Sequence, residues 1–215
     1  MRKLSILIAV ILLLSAVACK GSGVNPAGIH SPDEQVSDWQ AALAYLSDGN
    51  ARYLEGRTVK RNDKKDREVL SGGQHPFAAI VTCADSRVAP EIYFDQKLGD
   101  IFVIRNAGNI ADPAVLGSLE YAAEHLHVPL IVVVGHSFCG AVSGALSEGE
   151  FPENLQAVID EIAHAVQGCT ELDEAVRANA DYVARSIKEN PTVSHMGTEV
   201  IAAHYDIETG VVAFM

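Results

Sequence analysis

Three short apolar runs punctuate the chain, Phe77 to Val81, Ile101 to Ile104 and Leu130 to Val134. None alternates with polar positions, and β-branched runs of this kind predict strands buried on both faces of a parallel sheet. Pro113 to Leu126 has the spacing of a crossover helix, and two further helices are predicted over Glu153 to Gln167 and Glu171 to Glu189, the second ended by Asn190-Pro191. Val200 to Tyr205, then Glu208-Thr209-Gly210, then Val211 to Phe214 predicts a hairpin closing the sheet edge. Upstream, Ser31-Pro32-Asp33-Glu34 has the form of a capping box, predicting a helix from there to about Asp48. Its Trp39, Leu43 and Leu46 share a face that the body of the protein or a second copy must cover, and Gly49-Asn50 is expected to interrupt it. Lys60 to Glu68 mixes acids with bases and reads as a solvated connection or a short helix. The pattern is that of an α/β fold, with no internal repeat.

The first residues differ from the rest. Arg2 and Lys3 precede an apolar run from Leu4 to Leu14, and small residues follow as Ala16-Val17-Ala18-Cys19. The run is shorter than the roughly 20 residues that span a bilayer, so it reads as an export signal. Cys19 after small residues resembles the bacterial lipobox, in which that cysteine is lipidated and becomes the mature N-terminus. Ala16 stands where leucine is usual, which keeps ordinary cleavage or an uncleaved anchor open. The expected organisation is a signal over residues 1–19, a Gly-, Ser-, Asn- and Pro-containing tether over 20–30 and one domain over 31–215. The protein is expected outside the cytoplasm, periplasmic or held to a membrane only by that lipid.

With 215 residues, 48% hydrophobic, the chain is long enough for one sizeable core. A formal net charge of −12 argues against a nucleic-acid partner, whose phosphates call for clustered Lys and Arg.

Four cysteines in an exported chain ordinarily suggest disulfides. Here Cys19 belongs to the signal and Cys169 lies in a helical stretch without an evident mate. Cys83 opens Cys83-Ala84-Asp85-Ser86-Arg87 after the first strand, and Cys139 closes His136-Ser137-Phe138-Cys139 after the third. Both loops lie at strand C-terminal ends, where open α/β sheets bind ligands. Two thiolates, an imidazole and a carboxylate or water form a tetrahedral set suited to zinc. Taken singly, Cys83 is an ordinary core thiol, His136 a loop histidine, Asp85 a helix cap and Arg87 a surface cation. A Cys83–Cys139 disulfide is the remaining structural alternative.

The Cys-x-Asp-x-Arg and His-x-x-Cys pair resembles the signature of the β-class carbonic anhydrases. Gly99 to Asn109 and Gly117 to Ala122 also look like that family. The resemblance implies four parallel strands with an added antiparallel strand, and assembly as a homodimer or a higher even oligomer in which the N-terminal helix packs on the partner. It implies reversible hydration of carbon dioxide by zinc-bound hydroxide, with one zinc ion per chain on Cys83, His136 and Cys139. Asp85 pairs with Arg87 in the active form and ligates zinc in a closed one. Gln74 matches the amide donor to substrate oxygen. Phe102, Ala107 and Tyr121 match pocket-lining positions from the same or the neighbouring chain, and Gly140 matches a backbone contact. Ile80 stands where members regulated by bicarbonate carry tryptophan, which together with Gln74 favours the plant-like subclass with an open site.

Physical needs run the same way. Carbon dioxide is apolar and calls for a small dry pocket, while its attacker must be hydroxide, which zinc supplies by bringing the pKa of bound water down to around 7. Proton export requires a relay, with His30, His75, His125, His127, His164, His195 and His204 as candidates. Two rivals remain: a zinc hydrolase of carbon disulfide or carbonyl sulfide on the same scaffold, and a non-catalytic zinc-binding shell indifferent to Asp85.

Overall fold

The computed structural model describes residues 29–31, 34–59, 64–147 and 149–215. The expected export signal, Cys19 and most of the expected tether lie outside them.

Five strands form one sheet in the order β2-β1-β3-β4-β5. These are β1 (Ala78–Cys83), β2 (Ile101–Asn106), β3 (Leu130–His136), β4 (Glu199–Tyr205) and β5 (Val212–Phe214). The first four run parallel, and β5 pairs antiparallel to β4 through Ala203–Phe214 and Tyr205–Val212. The expected architecture and closing hairpin are therefore present. Every residue of β1 and β3 is buried, as their unbroken apolar runs require. The expectation of two buried faces fails for β2, whose residues are all at least partly exposed. It is the outer strand, with no further strand paired on its far side among the described residues.

Side chains alternate across the sheet. Ala78 and Ile80 of β1 face a core built with α1 (Trp39–Leu54) and α3 (Pro90–Tyr93), completed by α5 (Gly140–Ala145) and α6 (Glu153–Ala165). Ala79 and Val81 face the opposite core, with α4 (Pro113–Glu124), α7 (Leu172–Lys188) and α8 (Pro191–Met196). The charged stretch contributes α2 (Lys64–Leu70). Asn190-Pro191 ends α7 as expected and also opens α8, because the Asn190 carboxamide oxygen accepts from the amides of Thr192 and Val193.

The first helix differs from its expectation at both ends. It begins at Trp39 with Asp38 as its cap, not at Ser31. Glu34, read as the capping-box acid, instead accepts the Tyr45 hydroxyl at 3.0 Å. Gly49-Asn50 does not interrupt it. A Cβ on Gly49 would lie 1.7 Å from the Phe94 carbonyl oxygen, so glycine lets α1 pack directly on the backbone after α3. Asn50 is buried and donates to the carbonyls of Tyr93 and Gly210 while accepting from Val212 N. Both residues serve distant contacts. Leu46 is buried in this chain's own core, and Trp39 and Leu43 pack partly against it.

His30, assigned to the flexible tether, is also part of the fold. It is 2% exposed, with Nδ1 2.9 Å from Asp100 Oδ1 and Nε2 3.0 Å from the Glu34 carbonyl. The ordered domain therefore starts before Ser31.

Candidate metal centre

The sheet order reverses direction at β1. The chain leaves β1 outward to β2, then returns on the other side to form β3, so the loops leaving β1 and β3 part and open a crevice above their C-terminal ends. Cys83 is the last residue of β1 and His136 the last of β3, on paired strands. Cys139 caps the start of α5 three residues later. All three are buried, and their ligand atoms lie within 4.8 Å of one another.

The two sulfurs are 4.0 Å apart and both thiols are free, about twice the separation of a disulfide, which removes that alternative. The imidazole is aimed by its own loop. His136 Nδ1 lies 2.9 Å from the Ser137 carbonyl, which can only accept, so Nδ1 carries the proton and Nε2 the free lone pair. That Nε2 is buried with no hydrogen-bond partner among the described residues. Ser137 is held in turn, its amide donating to the Tyr205 carbonyl and its hydroxyl accepting from Ile207 N. An oriented imidazole with an orphaned nitrogen between two close thiols is what a zinc site requires before the ion arrives.

Charge in the pair is shared unequally. The Cys139 thiol hydrogen-bonds Cys83 and, against the opposing effect of burial, holds it well below the ordinary thiol range, with help from nearby His136 and the Gly108 amide. Cys139 is pushed up correspondingly by its contact with Cys83 and by burial. A divalent cation bound here would take the place of the shared proton and relieve the conflict.

Asp85 does not join the group. Arg87 holds it in a fork, Nε to Oδ1 at 3.0 Å and Nη2 to Oδ2 at 2.7 Å, and the Arg87 amide donates to Oδ1 at 2.9 Å. Of the two arrangements expected for Asp85, the structure has the one paired with Arg87 and not the one that ligates a metal: both its oxygens are committed to Arg87 two residues on. The guanidinium holds the Asp85 carboxyl far below the usual carboxylate range, keeping it ionised. Nη2 of Arg87 also approaches the Phe138 carbonyl, at 3.4 Å.

Two site residues escaped the reading of the sequence. Arg105 donates to the Cys83 carbonyl at 3.0 Å and to the Asp85 carbonyl at 2.6 Å, fixing the loop that carries both. Its position beside Asn106, the register partner of Cys83, was the available signal. Phe138 has φ +60° and is 53% exposed, an aromatic in the left-handed region on the loop between two donors. No sequence pattern announces that conformation.

The other expected site residues divide into two groups. Ala107 directly follows Asn106, and Gly140 directly follows Cys139, so both belong to the crevice. Gln74 does not. It lies before the N-terminal end of β1, beyond five residue steps of about 3.3 Å from Cys83. There it lines an open groove of about 600 Å³ with Leu70, Leu98, Gly99 and Ile101. Phe102 pairs with Ala79, four residues down β2 from Asn106, and its ring lies 6.3 Å from that of Tyr121, which is 46% exposed on α4. Phe102 thus lies on the outer strand of the sheet, with Tyr121 beside it. Among the relay candidates, His30 and His204 are buried and engaged, His30 by Asp100 and His204 by Asp173 and Arg177.

Comparison with known proteins gives a consistent result. The family described as carbonic anhydrase matches residues 78–212. A curated carbonic anhydrase 2 of Mycobacterium tuberculosis is 40% identical over 190 residues, 81% of this chain and 90% of that protein. A carbonic anhydrase of Mycolicibacterium smegmatis is 50% identical over 124 residues, 56% of this chain and 58% of that one. Among solved structures, a tetrameric β-carbonic anhydrase of Sordaria macrospora superposes with a TM-score of 0.64 at 29% identity, covering 69% of this chain and 85% of its own.

Proposed function

The chain belongs to the β-class carbonic anhydrase family, and on that premise we propose that it hydrates carbon dioxide reversibly using a zinc ion held by Cys83, His136 and Cys139. The observation that carries this reading is the buried donor set that includes the orphaned His136 Nε2. Zinc bound there makes hydroxide available near neutral pH by acidifying water.

The chain's own residues supply the rest. Asp85, ionised and turned toward Arg87, is a pure acceptor that fixes a hydroxyl proton, leaving an oxygen lone pair free to face the carbon of the substrate. Arg87 keeps that carboxylate away from the donor group. Ala107 and Gly140 leave a small space beside the donors, suited to an uncharged linear molecule.

Gln74, Phe102 and Tyr121 complete a site only if a second copy brings them to it. The half-exposed apolar edge of β2 supports such an assembly, because an uncovered edge strand invites pairing. The solved relative from Sordaria macrospora is tetrameric, in keeping with an even oligomer. In that arrangement the Gln74 carboxamide offers an N–H to the oxygen on which charge develops, and Phe102 and Tyr121 wall the pocket.

Export with a lipid at Cys19 remains part of the proposal, supported by the basic head, apolar run and small residues before that cysteine. Fractionation of cells expressing wild-type protein and Cys19→Ala tests it: retention of both on membranes argues against a lipid anchor.

The deciding experiment is stopped-flow carbon dioxide hydration on purified protein, with zinc determined on the same sample and Asp85→Asn alongside. One zinc per chain with hydration that collapses in the variant supports the reading. Zinc without hydration between pH 7 and 9 overturns it.

A further inference from the structure

Asn179 lies midway along α7, 1% exposed, and its side-chain Nδ2 donates to the Gly108 carbonyl at 2.9 Å. Gly108 in turn directs its N–H at Cys83 Sγ, at 3.4 Å. One hydrogen-bonded path therefore joins the interior of a helix to a sulfur of the donor group, through a single peptide-bearing residue.

That residue is held in a conformation that does not maintain itself. Gly108 has φ +72°, and a Cβ there would lie 2.4 Å from Ile162 Cδ1, so no side chain fits. Asn109 follows at φ +46°, a second left-handed residue without glycine's freedom. Glycine reaches this region at no steric cost and asparagine tolerates it, so the backbone alone does not hold the Gly108 peptide in place and its surroundings must. The Asn179 carboxamide is one such constraint. It comes at a cost, because its Oδ1 is buried with no partner among the described residues. An apolar side chain would escape that cost, so the packing of α7 alone gives no reason for an amide. What the amide adds is its grip on Gly108.

We propose that Asn179 is a positioning residue of the metal centre: by fixing Gly108 it keeps an N–H on the Cys83 sulfur, draws charge from that ligand and sets its donor strength. Groups that orient and polarise ligands act in this way on metal affinity and on the acidity of bound water. The inference rests on the reading of Cys83, His136 and Cys139 as metal ligands.

The test compares wild-type protein with Asn179→Leu, each loaded with cobalt(II) and, separately, with zinc. Loss of the N–H···S bond leaves the sulfur richer in electrons. The thiolate-to-cobalt charge-transfer band should move to longer wavelength, and zinc affinity by chelator competition should change by about 10-fold. A band and an affinity both unmoved, in a variant with native circular dichroism, would make Asn179 a packing residue and overturn the inference. Should the variant fail to fold, wild-type protein loaded with cadmium-113 decides the matter. A scalar coupling between the Gly108 amide proton and the metal across Cys83 supports the path, and its absence refutes it. A wild type that takes up no metal at all is a separate result, sinking the metal reading and this inference with it.

Discussion

Arg87 closes on both oxygens of Asp85, at 3.0 and 2.7 Å, and so holds that carboxylate out of the Cys83–His136–Cys139 group. The pair is partly open to water, with Arg87 half exposed, so its value lies in geometry and not in fold stability. Replacing Arg87 with alanine frees Asp85 to turn toward the metal and removes the acceptor from its working position. Hydration should fall about 100-fold or more, the usual scale for a lost acid–base group. Zinc content should stay near that of wild type. Stopped-flow assays beside metal analysis check this, and full activity in Arg87→Ala would rule out the role.

Gln74 precedes the N-terminal end of β1 and Cys83 is its C-terminal residue, so the two do not share a site within one chain. Homo-oligomers of Gln74→Ala and of Cys83→Ser should both be weak or inactive. Mixing them under conditions of subunit exchange creates hybrids in which an intact donor set meets an intact Gln74, and activity should rise well above either parent. No gain, once exchange has been verified by mass, would place the amide outside the reaction.

Phe138 sits at φ +60° with half its surface in water. A side chain in that region costs roughly 1–2 kcal/mol, whereas an exposed ring contributes little burial. Phe138→Gly should therefore stabilise the domain by a few tenths to about 1 kcal/mol after the greater chain entropy of glycine is counted. The urea midpoint should rise with an unchanged slope. A fall would mean that the ring packs against something in the assembled protein.

Gly49→Ala should do the reverse. The new methyl would lie 1.7 Å from the Phe94 carbonyl and 2.5 Å from Gln96 Nε2, forcing α1 away from the body. A loss of about 3 kcal/mol, the upper part of the overpacking range, is expected in urea unfolding.

His30 makes stability depend on pH. Burial works against its charge, but the hydrogen bond and charge of Asp100, with the carbonyl and charge of Glu34, together outweigh burial, and its pKa is raised above the ordinary 6.5. A group with a raised folded pKa stabilises fully below its unfolded value and loses that contribution as pH climbs through the folded one. The stability advantage of wild type over His30→Gln should therefore be largest below about pH 6.5 and shrink above it. An advantage flat across pH 5 to 9 would show that the imidazole acts only through packing.

What local pattern carries, the sequence by itself determined. The apolar runs specified β1 and β3, turn residues set the closing hairpin, and donor types at two strand ends marked the candidate metal centre. These depend on periodicity and on residue chemistry, which are properties of neighbours in the chain. Only the tertiary structure decided the rest. Gly49-Asn50 reads as a helix stop until Asn50 meets Gly210, 160 residues away. His30 reads as tether until Asp100 buries it. Asp85 stands apart from the donors because Arg87 holds it, and Asn179 looks like any polar helical residue until Gly108 folds beneath it. Each of these outcomes is a contact or a backbone angle fixed by packing, and packing becomes defined only when segments distant in sequence share one core.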